Sequence, residues 1–152
     1  MPNTLQTFLA SATENTKNDL VAALLSLPED KRAWSPADIA RTAVDVIAEC
    51  AMNNGFTADI VEKRSMPFHN QEDYLKQKAD LVATGFDAVK ALLDSNTERM
   101  VGVILAFPDS DLTNDLDLPW GKSTLAEILA YPYWNMAYHE GQVNYIASLL
   151  SL

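Results

Sequence analysis

Three polar side chains capable of chemistry, Asn135, His139 and Gln142, recur near the end of the chain at steps of four and three. They interrupt a stripe otherwise made of Leu125, Ile128, Tyr131, Ile146 and Leu149, and helical spacing keeps the whole series on one face. Asn135 and His139 would then lie one turn apart, with about 6 Å between their Cβ atoms. A second stripe, Ile39, Thr42, Val46, Glu49 and Asn53, ends in two groups that are costly to bury. Glu49, standing where a leucine would pack, needs a cation, a metal or several hydrogen-bond donors around it.

If the two stripes face each other, Glu49 and His139 share one pocket, with Asn135 and Gln142 adding further polar groups. Two chemistries fit that arrangement. Imidazole and carboxylate can ligate a divalent cation between facing helices. Equally, His139 can hydrogen-bond to Glu49 and join two helices with no ligand at all. Thr42 and Asn53 are candidate lining residues from the same stripe, and Trp120 is a candidate for the pocket mouth. Residue types alone assign no catalytic role.

The elements that must position these groups read as helices. Asn3 or Thr4 can cap a first helix in which Leu5, Phe8, Leu9, Ala12, Leu20, Ala23, Leu24 and Leu27 recur up to Pro28, across a polar middle from Thr13 to Asp19. Ser35, Pro36 and Asp38 form a start signal for a second helix from Pro36 to about Asn53, with Asn54-Gly55 ending it. Residues 55–69 read as a crossover loop, followed by a short helix from Gln71 to about Val82.

Thr84 and Asp87 open a further helix whose face runs through Phe86, Val89, Leu93, Asn96, Met100, Val103 and Phe107, unless Ser95-Asn96 breaks it. Pro108 to Trp120 reads as a long loop of the kind that covers sites. The last helix opens at Ser123 or Thr124, with Glu127 completing a capping box. It runs to about Leu150, with Pro132 expected to kink it or divide it in two. Gly141, beside the polar cluster, predicts close approach of a neighbouring helix or ligand. No period-two strand pattern competes, so the expected class is all-α, a four-helix bundle with a long crossover connection.

Composition sets the outer bounds. At 152 residues, with 48% hydrophobic and 21% charged residues, the chain reads as a single domain over residues 1–152 with an ordinary core. Its 21 acidic against 11 basic residues give a net charge of −10, which disfavours nucleic acid and anionic lipid as partners. A single cysteine, Cys50, excludes an internal disulfide and fits a reducing compartment. With no basic-then-apolar leader and no long apolar run, the cytoplasm is the expected location and no membrane contact is expected.

Several motifs imitate sites without completing them. Gly121-Lys122-Ser123-Thr124 resembles the end of a phosphate loop, but Leu116 stands where its first glycine belongs. His139-Glu140 begins a zincin-like motif that ends wrongly at Val143. Cys50, next to Glu49, reads as a buried structural thiol, and His69 as a solvated or hydrogen-bonded loop residue. Trp34, Trp120 and Trp134 read as core or loop anchors.

The segment from Tyr133 to Ile146, with His139, Gly141 and Gln142 in the pattern H-x-G-Q, resembles the last helix of the DinB/YfiT-like superfamily. Trp34-Ser35-Pro36 and Pro119-Trp120-Gly121 extend the likeness over most of the chain. The resemblance implies a four-helix bundle, frequently a homodimer, in which one histidine of the second helix and two of the last bind nickel or zinc. It also implies metal-dependent hydrolysis or transfer of low-molecular-weight thiols in some members, acting on small molecules. This sequence departs from that pattern. Asn135 stands in place of the first histidine of the last helix, and the second helix has none, leaving Thr42 or Glu49 in that role. His139, Glu49 and Asn135 would therefore bind a divalent metal weakly or not at all. The alternative is a non-catalytic module that binds a small ligand or a partner and whose polar core residues are structural.

Overall fold

The structure, a computed structural model, describes residues 4–150. Its order is α1 (Thr4–Ser26), α2 (Ala43–Lys63), α3 (Gln71–Ala83), α4 (Phe86–Ala106), a hairpin of β1 (Asp115–Leu118) and β2 (Gly121–Thr124), and α5 (Leu125–Leu149). Single 3-10 turns at Glu29–Lys31 and Asp109–Asp111 punctuate the connections. The expected cap at Asn3 lies outside the described residues. No described helix is long and apolar enough to cross a membrane.

The fold is an all-α bundle in which α1 and α2 each pack against both α4 and α5, and so lie diagonally opposite each other. Partners advance together along α2 and α4, Asn96 bonding Ala51, Thr97 bonding Asn54 and Arg99 meeting Asp59, so those helices run parallel. Glu49 pairs with His139 and Cys50 with Asn135, while Asn54 reaches Met136, so α2 and α5 run antiparallel. The parallel pair requires the long crossover, and α3 lies along it against α2 and α4.

Two apolar clusters fill the bundle along its length. One gathers Leu20, Leu24, Leu27, Ile47, Leu93 and Val143, and the other Leu9, Met100, Ile104, Leu125 and Leu129. Polar side chains from all four helices are buried along the same axis, among them Thr13, Asn54, Thr97 and Asn135. The polar middle of α1 therefore does not interrupt the helix, because Thr13 and Thr16 turn inward.

Several boundaries differ from the sequence expectation for identifiable reasons. The second helix begins at Ala43, not Pro36, because Ser35 Oγ donates to the carbonyls of Ala37 and Ala40 and closes a turn instead of capping a helix. Thr42 supplies the cap, its Oγ1 accepting from Asp45 N at 3.2 Å. Ile39 consequently falls outside the helix and is 98% exposed. Asn54-Gly55 does not end α2. Asn54 is buried and donates to Thr97 Oγ1 at 2.9 Å, and a Cβ at Gly55 would stand 2.6 Å from Asn96 Nδ2. The small residue thus admits α4 at mid-helix, and the helix ends at Arg64, whose φ of 57° takes the left-handed turn.

Thr84 closes α3, its Oγ1 donating to Leu81 O, and Gly85 at φ 97° turns the chain into α4, which runs unbroken through Ser95-Asn96. The expected loop before the last helix holds a short antiparallel hairpin turned by Pro119-Trp120, with Leu118 paired to Gly121. Only Leu118 of β1 is buried, a pattern too brief for a period-two signal. The capping box of Thr124 and Glu127 opens α5, which continues as one helix through the buried Pro132. A Cβ added at Gly141 would meet nothing within 4 Å, so the expected role of that glycine in close packing falls instead to Gly55.

Candidate functional site

Antiparallel packing of α2 on α5 brings Glu49 and His139 together, with His139 Nε2 2.9 Å from Glu49 Oε1. On the other side of the imidazole, Nδ1 lies 2.6 Å from Gln142 Oε1, one turn further along α5. An oxygen thus faces each ring nitrogen. Turning the Gln142 amide over would let Nδ1 accept from it, but in either arrangement Nε2 carries the proton it donates to Glu49.

Glu49 has a second partner that the helical reading of residues 36–42 obscured. Arg41, in the irregular segment before α2, reaches Glu49 Oε2 with Nη1 at 2.7 Å and Asp45 Oδ2 with Nε at 2.5 Å. Lys78 of α3 then meets Asp45 Oδ1 at 3.1 Å. A chain of alternating charge therefore runs from Lys78 of α3 through Asp45 and Arg41 to Glu49, and hydrogen bonds continue it to His139 and Gln142 on α5.

Burial of Glu49 raises its pKa, but the hydrogen bond from His139 and the charge of Arg41 outweigh it and hold the carboxyl at about 2. Burial opposes the charge on Arg41, yet the hydrogen bond to Asp45 and the charge of Glu49 raise its pKa above the ordinary value. Burial, reinforced by Glu49, pushes the Cys50 thiol up, which leaves it a neutral core group. Asn135 is buried beside it, Nδ2 donating to Cys50 Sγ at 3.7 Å.

These contacts decide how well the residues suit a divalent ion. The proton on His139 Nε2 blocks the lone pair nearest Glu49, a guanidinium already neutralises that carboxylate, and Asn135 turns its amide nitrogen to a thiol. Among the described residues no cluster of three or more His, Cys, Asp or Glu is placed to hold a metal. The donor set does not fit a metal of the kind the sequence resemblance implies.

What the cluster does adjoin is a cavity of about 880 Å³ between α2, the start of α3, the hairpin and α5. Phe56, Phe68 and Tyr74 pack mutually along one part of its lining, with ring centroids 5.4–6.0 Å apart. Tyr131 and Trp134, 5.7 Å apart, line it from α5, and Trp120 lines it from the hairpin turn. Glu49 and Asn53 contribute polar groups, and Asn53 Oδ1 accepts from Tyr74 OH at 3.1 Å. Burial and then the Glu49 charge raise the pKa of both Tyr74 and Tyr131, so two phenols at the cavity sense the carboxylate.

Of the residues singled out in the sequence, Glu49, Asn53, Trp120 and the loop residue His69 line this cavity. His139 and Gln142 do not line it, and connect to it through Glu49. Thr42 is the helix cap, and Asn135 lies in the core. Trp134 is an exposed lining residue and not a core anchor. Sequence reasoning missed Arg41 and the aromatic lining. The spacing of Tyr131 and Trp134 by three, with Phe56 directly after the Asn54-Gly55 pair expected to end the helix, was the signal available for the latter.

The same bundle occurs in solved structures. A conserved protein from Enterococcus faecalis superposes with a TM-score of 0.76 at 11% identity, covering 95% of this chain and 96% of that one. A DinB-like protein of Bacillus subtilis, YjoA, superposes with a TM-score of 0.67 at 13% identity, covering 95% of this chain and 92% of that one. The fold is DinB-like. At these identities the likeness concerns the fold alone, and no family model and no curated protein matches the chain.

Proposed function

We propose that this DinB-like bundle binds a small organic molecule in the aromatic cavity, with Glu49 as its polar anchor and without a metal. One observation carries the reading: a carboxylate held ionised by Arg41 and His139 opens onto a cavity of about 880 Å³, a volume in the range of small-molecule sites. In place of a metal, the guanidinium of Arg41 supplies the positive charge that a buried carboxylate needs. His139, which the sequence resemblance offers as a ligand, serves here to hold Glu49 in place. His139 fixes one oxygen and Gln142 orients the imidazole.

The test uses N-phenylnaphthylamine, a neutral probe that fluoresces in apolar surroundings. Saturable one-to-one binding is expected, weakened roughly three- to tenfold in Phe68→Ala and in Trp120→Ala, since each removes an aromatic contact surface. Parallel melting curves with nickel, zinc and manganese should coincide with the metal-free curve, because only a ligand that prefers the folded state raises the midpoint. Probe binding indifferent to both substitutions, or a metal-dependent rise abolished by His139→Ala, would overturn the proposal.

A further inference from the structure

The lining of this cavity is chemically one-sided. No lysine or arginine side chain lines it, and His69 at the rim is the one lining group able to carry positive charge. Two carboxylates line it, the half-buried Glu49 on α2 and the exposed Glu127 on the first turn of α5. Arg41 and His139 each take one direction on one oxygen of Glu49, and a carboxylate has about four acceptor positions, so acceptor capacity remains on both. Asn53 adds an oxygen with a further lone pair beyond the one used by Tyr74. Around these acceptors stand six aromatic rings, whose faces attract cations and whose bodies exclude water.

An anion entering this cavity would meet two carboxylates and no lysine or arginine in the lining, since Arg41 reaches Glu49 from outside it, at a cost that a net charge of −10 increases. A neutral body with a hydroxyl would satisfy the rings but offer one uncharged donor to several acceptors, two of them carboxylates. A protonated amine on an aromatic or aliphatic body satisfies both. We infer that the cavity selects a small organic ammonium compound, its N–H groups directed to Glu49 and Asn53 and its body held among the rings. This rests on the small-molecule reading above and names the ligand class for it.

Three probes of one body and three charges separate the possibilities: phenethylammonium, phenethyl alcohol and hydrocinnamate, each measured by displacement of N-phenylnaphthylamine from the intact chain. Phenethylammonium is expected to bind roughly tenfold tighter than the alcohol, and hydrocinnamate weakest of the three. Glu49→Gln should remove most of the preference for the amine. Because that change also disturbs Arg41 and His139, Glu127→Gln serves as a second variant. Glutamine still completes the capping box there, and the preference should fall by a smaller factor with the fold intact. Equal affinity of amine and alcohol, or tighter binding of hydrocinnamate, overturns the ammonium inference while leaving the cavity reading in place. Failure of the neutral probe to bind at all ends both.

Discussion

Replacing Glu49 by glutamine tests whether the Arg41–Glu49–His139 cluster is an ionic one. In the folded chain Glu49 titrates at about 2 against an ordinary 4.5, because His139 and Arg41 both favour its charged form over the opposing effect of burial. The pKa is depressed on folding, so the associated stability is present above pH 4.5 and is lost as the pH falls toward 2. That depression sets an upper limit of about 3 kcal/mol. The Glu49 side chain is 19% exposed and faces an open cavity, and solvent screening brings the expected contribution to roughly 1–2 kcal/mol. Glu49→Gln keeps the shape but removes the charge, and should cost about that much at pH 7 in urea denaturation. The gap between wild type and variant should then close progressively between pH 4.5 and 2. A gap of constant size over that interval, or none at pH 7, would refute the ionic account of the cluster.

Two of the three helical glycines, Gly55 and Gly141, should respond in opposite senses. Gly141→Ala, with open space at its Cβ position, should stabilise the protein by about 0.5–1 kcal/mol through helix propensity. Gly55→Ala should lose that gain and more, because the new methyl group meets Asn96 and threatens its hydrogen bond to Ala51 O. Melting temperatures of both variants decide this, and a stabilised Gly55→Ala would contradict the close approach of α2 and α4. Thr124→Ala should cost about 1 kcal/mol by removing the cap of α5, measured by chemical denaturation. Leu24→Ala, fully buried in its apolar cluster, should cost about 2–5 kcal/mol, and a loss under 1 kcal/mol would argue against the packing described.

Much of the bundle could be read from residue order because local signals and tertiary packing agree. Thr124 and Glu127 form the predicted box, and Val89, Leu93 and Met100 of the predicted face of α4 are buried, with Thr97 and Ile104 in the core in place of the expected Asn96 and Val103. The polar stripe on α5 led to His139, and the anomaly of a carboxylate at Glu49 led to its partner. The failures have two causes, a competing local turn at the start of α2 and tertiary contacts at its middle. Ser35-Pro36 carries a good start signal, but its hydroxyl serves a turn. Asn54-Gly55 carries a good stop signal, but Asn54 finds Thr97 and Gly55 admits Asn96, so the helix continues.

Those two boundary errors concealed the site. Starting the helix early placed Arg41 inside it, where nothing in the pattern singles it out, when it lies before the helix and is the cation on Glu49. Ending the helix early assigned Phe56 to a loop, when it lines the cavity with Phe68 and Tyr74. The cavity itself joins segments from residue 49 to residue 134, and no local pattern encodes that meeting.

The most direct test of the central claim is a crystal structure grown with both zinc and phenethylammonium present. The account predicts Arg41 and His139 each on one oxygen of Glu49, with the ammonium group beside the same carboxylate and the aromatic cavity filled. Zinc bound to His139 and Glu49, with Arg41 displaced, would contradict it.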